Sequence, residues 1–195
     1  ELHGHIDNES GRAALVALRQ WTDREFHARR HQFQARRRQG FVRECHGDLH
    51  LNNIALVDDR ITVFDCIEFN DHMRWGDVMG EVAFVVMDME DRKKPDLAFR
   101  FLNGYLERTG DYSGLAVLRF FLVYRAMVRA KVTWFRAAQL PAGDEKTAAV
   151  SEYRGYVKLA ERYAQTPKAA IVLMHGLAGC GKTTCSQRLV EAVGG

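Results

Sequence analysis

His46-Gly47-Asp48-Leu49-His50-Leu51-Asn52-Asn53 decides how this chain is read, because an aspartate and an asparagine five residues apart are followed at once by a candidate hairpin. Two short apolar runs, Ile54 to Val57 and Ile61 to Asp65, flank Asp58, Asp59 and Arg60. Such runs around a polar turn predict antiparallel strands. A turn over 58–60 pairs Val57 with Ile61, and counting back sets Asn53 opposite Asp65, where directly paired residues lie about 4.5 to 5.5 Å apart.

The form HxDxxxxN is the spacing by which catalytic loops of phosphoryl-transfer enzymes place a base and a metal ligand around one phosphoryl group. Mg²⁺ takes one or two carboxylate or carbonyl oxygens from the protein and fills its shell with phosphate and water. Asn53 and Asp65 are the expected metal ligands. Asp48, at the other end of the loop, is placed to accept the proton of an attacking hydroxyl. His50 occupies a position from which a cation could face the γ-phosphate, and is taken with Asp48 as catalytic. His46 reads as structural, hydrogen-bonding the loop backbone. Glu68 is open between metal or substrate contact and plain surface, and Asp77 is expected to brace the loop from the start of its helix. A surface hairpin whose Asp and Asn only cap turns would leave the joint placement of Asp48, Asn53 and Asp65 unexplained.

Working outward, residues 11–38 contain no proline and, after Gly11, no glycine, with Leu15, Leu18, Trp21, Phe26 and Phe33 at loosely helical spacing. One long helix closing at Gly40 is expected. Its arginines, Arg24, Arg29, Arg30, Arg36, Arg37 and Arg38, with Arg43 beyond it, read as a solvated face, the alternative being a patch for an anionic partner. Past the hairpin the pattern is helical: Trp75 to Met89, Pro95 to Arg108, Leu115 to Ala138 and Asp144 to Tyr163. Four cysteines without CxxC spacing predict reduced, mostly buried thiols rather than disulfides or a zinc site. The net charge is +3. No run reaches the roughly 18 apolar residues of a membrane span, and no signal-peptide zones are visible, so a cytoplasmic location is expected.

HGDLHLNN followed by VFDCIEFND resembles the aminoglycoside phosphotransferase family, a branch of the protein-kinase-like fold that phosphorylates small molecules. The likeness spans about residues 40–135. It implies that Asp48 is the catalytic aspartate, that Asn53 and Asp65 bind magnesium, and that the helices from Trp75 onward form the helical C-terminal lobe. The family's N-terminal lobe, with its phosphate-covering strands and lysine, has no counterpart before Glu1.

A second motif, Gly176-Leu177-Ala178-Gly179-Cys180-Gly181-Lys182-Thr183, fits GxxxxGK[ST]. It sits between an expected apolar strand, Ala169 to Met174, and an expected helix, Lys182 to Val193. Backbone N–H groups contributed around Gly176, Gly179 and Gly181 would cradle phosphates, Lys182 would reach the β- and γ-phosphates, and Thr183 would bind Mg²⁺ with Thr184 beside it. This end resembles the opening of a P-loop kinase or ATPase domain, and the whole resembles bacterial proteins that fuse a phosphotransferase to a P-loop kinase. With the boundary at Thr166–Pro167, residues 1–165 are expected to form the kinase-like lobe and 166–195 the start of the P-loop unit. The fold class is α+β and mainly helical.

The expected function is ATP- and Mg²⁺-dependent phosphorylation of a hydroxyl on a small molecule, in a fragment of a longer protein that supplies the N-terminal lobe and the rest of the P-loop domain. A rival reading is a nucleotide-binding regulatory module or ATPase fragment without transferase activity. A nucleic-acid binder, driven by the first helix, lacks interleaved aromatics or a recognisable motif.

Overall fold

The first helical segment shows how local signals and long-range partners divide the work. In the computed structural model, which describes residues 9–165 and 171–193, it forms α1 (Glu9–Ala28) and α2 (Arg30–Arg38). The single expected helix is broken at Arg29, whose φ of −99° and ψ of 8° leave helical geometry. The expected stop holds: Gly40 has φ +80°, Gly40 N–H donates to the Arg37 carbonyl and Phe41 N–H to that of Arg36, the paired bonds of a Schellman cap.

Strand β1 (Val42–Glu44) pairs antiparallel with β4 (Trp75–Asp77), Val42 facing Asp77. Trp75 to Asp77 were expected inside a helix. Their pairing with β1 takes them out of it, and the helix starts at Val78 with the Asp77 carboxylate accepting from Met79 N–H at 2.9 Å. Between these strands lie β2 (Ile54–Val57), β3 (Arg60–Val63) and the single turn α3 (Asp71–Arg74).

Four longer helices build the core: α4 (Val78–Asp91), α5 (Pro95–Thr109), α6 (Leu115–Gln139) and α7 (Asp144–Ala164). The last three lie within a residue of their expected bounds. Their periodic apolar faces, Pro95 in the first turn of α5 and Gly110 after its last (φ +71°) are local features. Helix α4 is buried nearly all round, with Met79, Ala83, Phe84, Val86 and Met87 in the core beside Val117, Val123, Ala126 and Ala130 of α6 and Tyr153, Tyr156 and Ala160 of α7. Among the described residues no helix is long and apolar enough to cross a membrane.

One of the arginines expected on a solvated face is instead fully buried. Arg36 donates to both carboxylate oxygens of Asp77, at 2.7 and 2.8 Å, and of Asp111, at 2.5 and 2.8 Å, and lies over the Phe41 ring. Burial works against its charge, yet these hydrogen bonds raise its pKa further above the usual range. Burial likewise works against the Asp111 carboxylate, but hydrogen bonds from Arg36 and Tyr105 hold it below its ordinary value. Asp77 therefore braces α2 and caps α4 rather than bracing the 46–53 loop.

Helix α8 (Lys182–Val193) has its expected bounds. The strand expected before it is not formed over residues 171–174: Ile171, Val172 and Leu173 are exposed and pair with no strand. An extended segment needs a neighbouring strand to satisfy its backbone, and none is present among the described residues. Residues 169–170 and the Thr166–Pro167 boundary lie outside the described residues.

Candidate active site

The hairpin turns in two residues rather than three. Val57 faces Arg60 and Ile54 faces Val63, with Asp58 and Asp59 at the tip at φ +47° and +58°. Positive φ at both central positions marks the turn whose twist matches paired strands, and aspartate tolerates it. The register therefore moves by one: Asn53 stands opposite Phe64, whose N–H donates to the Asn53 carbonyl at 3.1 Å, and not opposite Asp65.

Asp65 nevertheless lines the same cleft as Asp48. It takes a left-handed conformation, φ +60°, between two tethers to His46. The His46 Nε2–H donates to the Phe64 carbonyl at 2.8 Å, and Ile67 N–H donates to the His46 carbonyl at 3.1 Å. The other His46 ring nitrogen accepts from Asp48 N–H at 3.3 Å. His46 thus staples the hairpin's exit to the loop, a structural role. A cleft of about 1280 Å³ opens here, lined by Asp48, Asp65 and Glu68 and by the apolar side chains of Phe69, Trp75 and Tyr124 among others.

Each part of the loop is held from below. Gly47 has φ +86°, and a Cβ there would meet the Ile67 side chain at 2.9 Å and the Met73 carbonyl at 3.1 Å, so glycine alone fits. Leu51 N–H donates to the buried Asp88 carboxylate at 2.8 Å, and Arg92 donates to the Asn52 side-chain oxygen at 2.5 Å. Asn53 is buried; its Nδ2 donates to the Asp48 carbonyl at 3.0 Å, which orients the amide oxygen the other way. The Glu81 carboxyl is raised above its ordinary range by burial, against the lowering pull of Arg125, with which it pairs at 2.6 Å.

His50 is not out in the cleft facing a γ-phosphate. It is buried edge-on against the Phe84 ring, with Nε2 at 3.4 Å from an Asp48 carboxylate oxygen and Nδ1 buried without a hydrogen bond.

The second motif lies elsewhere and lines no part of this cleft. Gly179 and Gly181 have φ +78° and +84°, with open space where a Cβ would be. Lys182 Nζ folds back to donate to the carbonyls of Gly176 (2.8 Å) and Leu177 (2.7 Å). Helix α8 is tied to α5 by the exposed Arg100–Glu191 pair, at 2.8 and 3.0 Å. Cys180 and Cys185 are exposed, as is Cys66, and Cys45 is half-buried; all four thiols are free, but they are not the buried set expected.

Sequence reasoning missed Glu81, Asp88 and Arg125. A signal was present: Glu81 and Asp88 lie seven residues apart, on one face of a helix that is apolar over most of its length, where a carboxylate needs a partner. Among the described residues no three His, Cys, Asp or Glu side chains form a metal cluster. Asn53 meets the Asp48 carbonyl through its amide nitrogen, and the Asp65 carboxylate lines the cleft that Asp48 lines.

Asp48 thus stands on a tightly braced loop at a cleft that Asp65 also lines. The chain belongs to the phosphotransferase enzyme family, designated APH, whose sequence profile matches residues 4–121. That stretch contains Asp48, Asn53 and Asp65 and ends before the second motif. The chain is 31% identical over 194 residues to uncharacterized proteins of Mycobacterium bovis and Mycobacterium tuberculosis. The match covers 100% of this chain and 38% of each relative. No solved structure matches it.

Proposed function

We propose that this chain carries the acceptor-side lobe of an ATP- and Mg²⁺-dependent kinase that phosphorylates a hydroxyl of a small molecule. The observation that carries the reading is the shared cleft of Asp48 and Asp65, with Asn53 hydrogen-bonded to the Asp48 carbonyl beneath it. In the reaction the hydroxyl proton passes to the Asp48 carboxylate, the acceptor oxygen bonds to the γ-phosphorus, and the bond to the ADP oxygen breaks. His50, with Nε2 at 3.4 Å from an Asp48 carboxylate oxygen, would steady that carboxylate. Asn53 and Asp65 would hold Mg²⁺, which neutralises charge on the phosphate oxygens. The exposed apolar hairpin, where Leu56 and Ile61 face solvent, would be covered by a further lobe that completes the ATP site.

The loop at 176–183 is assigned in the same proposal to a second, P-loop nucleotide site. Gly179 and Gly181 leave room for phosphate while Gly176 backs onto the Cys180 sulfur, Lys182 exchanges its loop carbonyls for phosphate oxygens, and Thr183 with Thr184 lies at the helix start. A cytoplasmic location belongs to the same proposal.

The test is Mg²⁺-dependent phosphate transfer from ATP across a library of small hydroxyl compounds. Asp48→Ala is expected to lower kcat by about 10² to 10⁴, the range of a general base, while Lys182→Ala leaves transfer unchanged. Loss of transfer in Lys182→Ala alone would make the kinase-like lobe a scaffold and sink the assignment. Tight Mg²⁺-ATP binding with no acceptor anywhere in the library would favour a regulatory module.

A further inference from the structure

Arg125 reaches the catalytic loop from far along the chain, and its bonds close a ring. Nη1 donates to the Gly47 carbonyl at 2.8 Å, Nε to the Gly80 carbonyl at 3.0 Å, and Nη2 to Glu81 Oε1 at 2.6 Å. The second Glu81 oxygen accepts Gly47 N–H at 3.1 Å. Both polar groups of Gly47 are thus held by two side chains that also hold each other. The guanidinium lies 4.6 Å from the centroid of the Phe84 ring, against which His50 also packs. Both its side chain and that of Glu81 are 12% exposed.

We propose that Arg125 is a positioning residue for the reaction at Asp48, acting from α6 through the Gly47 peptide groups and the Glu81 carboxylate. The idea rests on the phosphotransfer reading above. Gly47 immediately precedes Asp48 and sits in a left-handed conformation where a Cβ would meet Ile67 and the Met73 carbonyl. Fixing its N–H and its carbonyl leaves few torsions between the clamp and the Asp48 carboxylate. A planar fork serves three acceptors in fixed directions, which an ammonium on a flexible stem cannot do. Lysine at 125 keeps the charge beside Glu81 but loses that geometry. The consequence is a loop that samples unproductive positions, which slows chemistry more than it weakens nucleotide binding.

The test compares Arg125→Lys with its parent, both carrying Lys182→Ala to silence the second nucleotide site. Amide hydrogen exchange is read over residues 46–51 and over core peptides of α6 and α7. Turnover of Mg²⁺-ATP with water as acceptor gives kcat and KM. The expected result is loop exchange faster by about tenfold or more with core peptides unchanged, and kcat lower by about 10- to 100-fold with KM for ATP within about twofold. Loop exchange that does not change overturns the proposal, as does exchange raised equally in the core peptides. A loosened loop with unchanged kcat also overturns it. Should Asp48→Ala leave turnover untouched in the same assay, the phosphotransfer reading itself has failed, and Arg125 is a structural brace only.

Discussion

The loops at 46–53 and 176–183 both carry left-handed glycines and residues suited to phosphate, yet they are held in opposite ways. The first is satisfied by distant groups: Glu81, Asp88 and Arg125 from the core, and Phe64 and Ile67 from beyond the hairpin. The second is satisfied by itself, through Lys182 and its own carbonyls, with one exposed ion pair fastening its helix to α5. A motif states which chemistry is possible. The source of its hydrogen bonds states how firmly the geometry for that chemistry is kept.

The largest effect is expected away from both loops, in the core where Arg36 is buried. Arg36→Met strips two buried carboxylates of their partner and should cost about 3 to 5 kcal/mol, read from urea unfolding. The Asp111 pKa is held low in the folded state, so its stabilisation is full above the ordinary aspartate value and is lost as pH falls through the depressed one. The gap between wild type and variant should therefore narrow in strong acid. A constant gap across that range would mean that packing of the long side chain, rather than charge, carries the effect.

A paired glycine test is smaller and more direct. Gly47→Ala meets both a left-handed backbone and contacts of 2.9 and 3.1 Å, and should cost about 1 to 3 kcal/mol of global stability together with transfer activity. Gly179→Ala meets the same backbone penalty but nothing within 4 Å. It should speed amide exchange around residues 176–183 and leave the unfolding midpoint of the helical core in place. Equal shifts of that midpoint would erase the distinction between the two loops.

The smallest effect is expected at the fastening of α8. Arg100→Ala removes an exposed pair and should leave the core midpoint unchanged while exchange over residues 182–192 accelerates. If exchange there does not respond, packing rather than the ion pair keeps α8 against α5.

Much of the fold was legible in the chain itself. The apolar spacing of α5, α6 and α7, Pro95, and the glycines at 40 and 110 act within a turn or two of their own positions, so periodicity and caps located these elements closely. The hairpin was legible as a hairpin but misread by one register, because the choice between two and three turn residues depends on whether Asp58 and Asp59 both adopt positive φ. Asp65 still came to the cleft, through its own left-handed turn and the His46 tethers. His50 was placed by spacing alone, and spacing does not show that Phe84 buries one of its edges.

Sequence by itself determined the helical frame and singled out the residues on which the proposed chemistry rests, Asp48, Asn53, Asp65 and Lys182, since each follows from residues close together along the chain. Only the tertiary structure decided that Arg36 is buried between Asp77 and Asp111, that Glu81 and Arg125 grip Gly47, and that residues 171–174 have no partner strand among the described residues. Those outcomes depend on groups tens of residues apart meeting in a low-dielectric interior, where an unpaired charge or backbone group costs far more than it does in water.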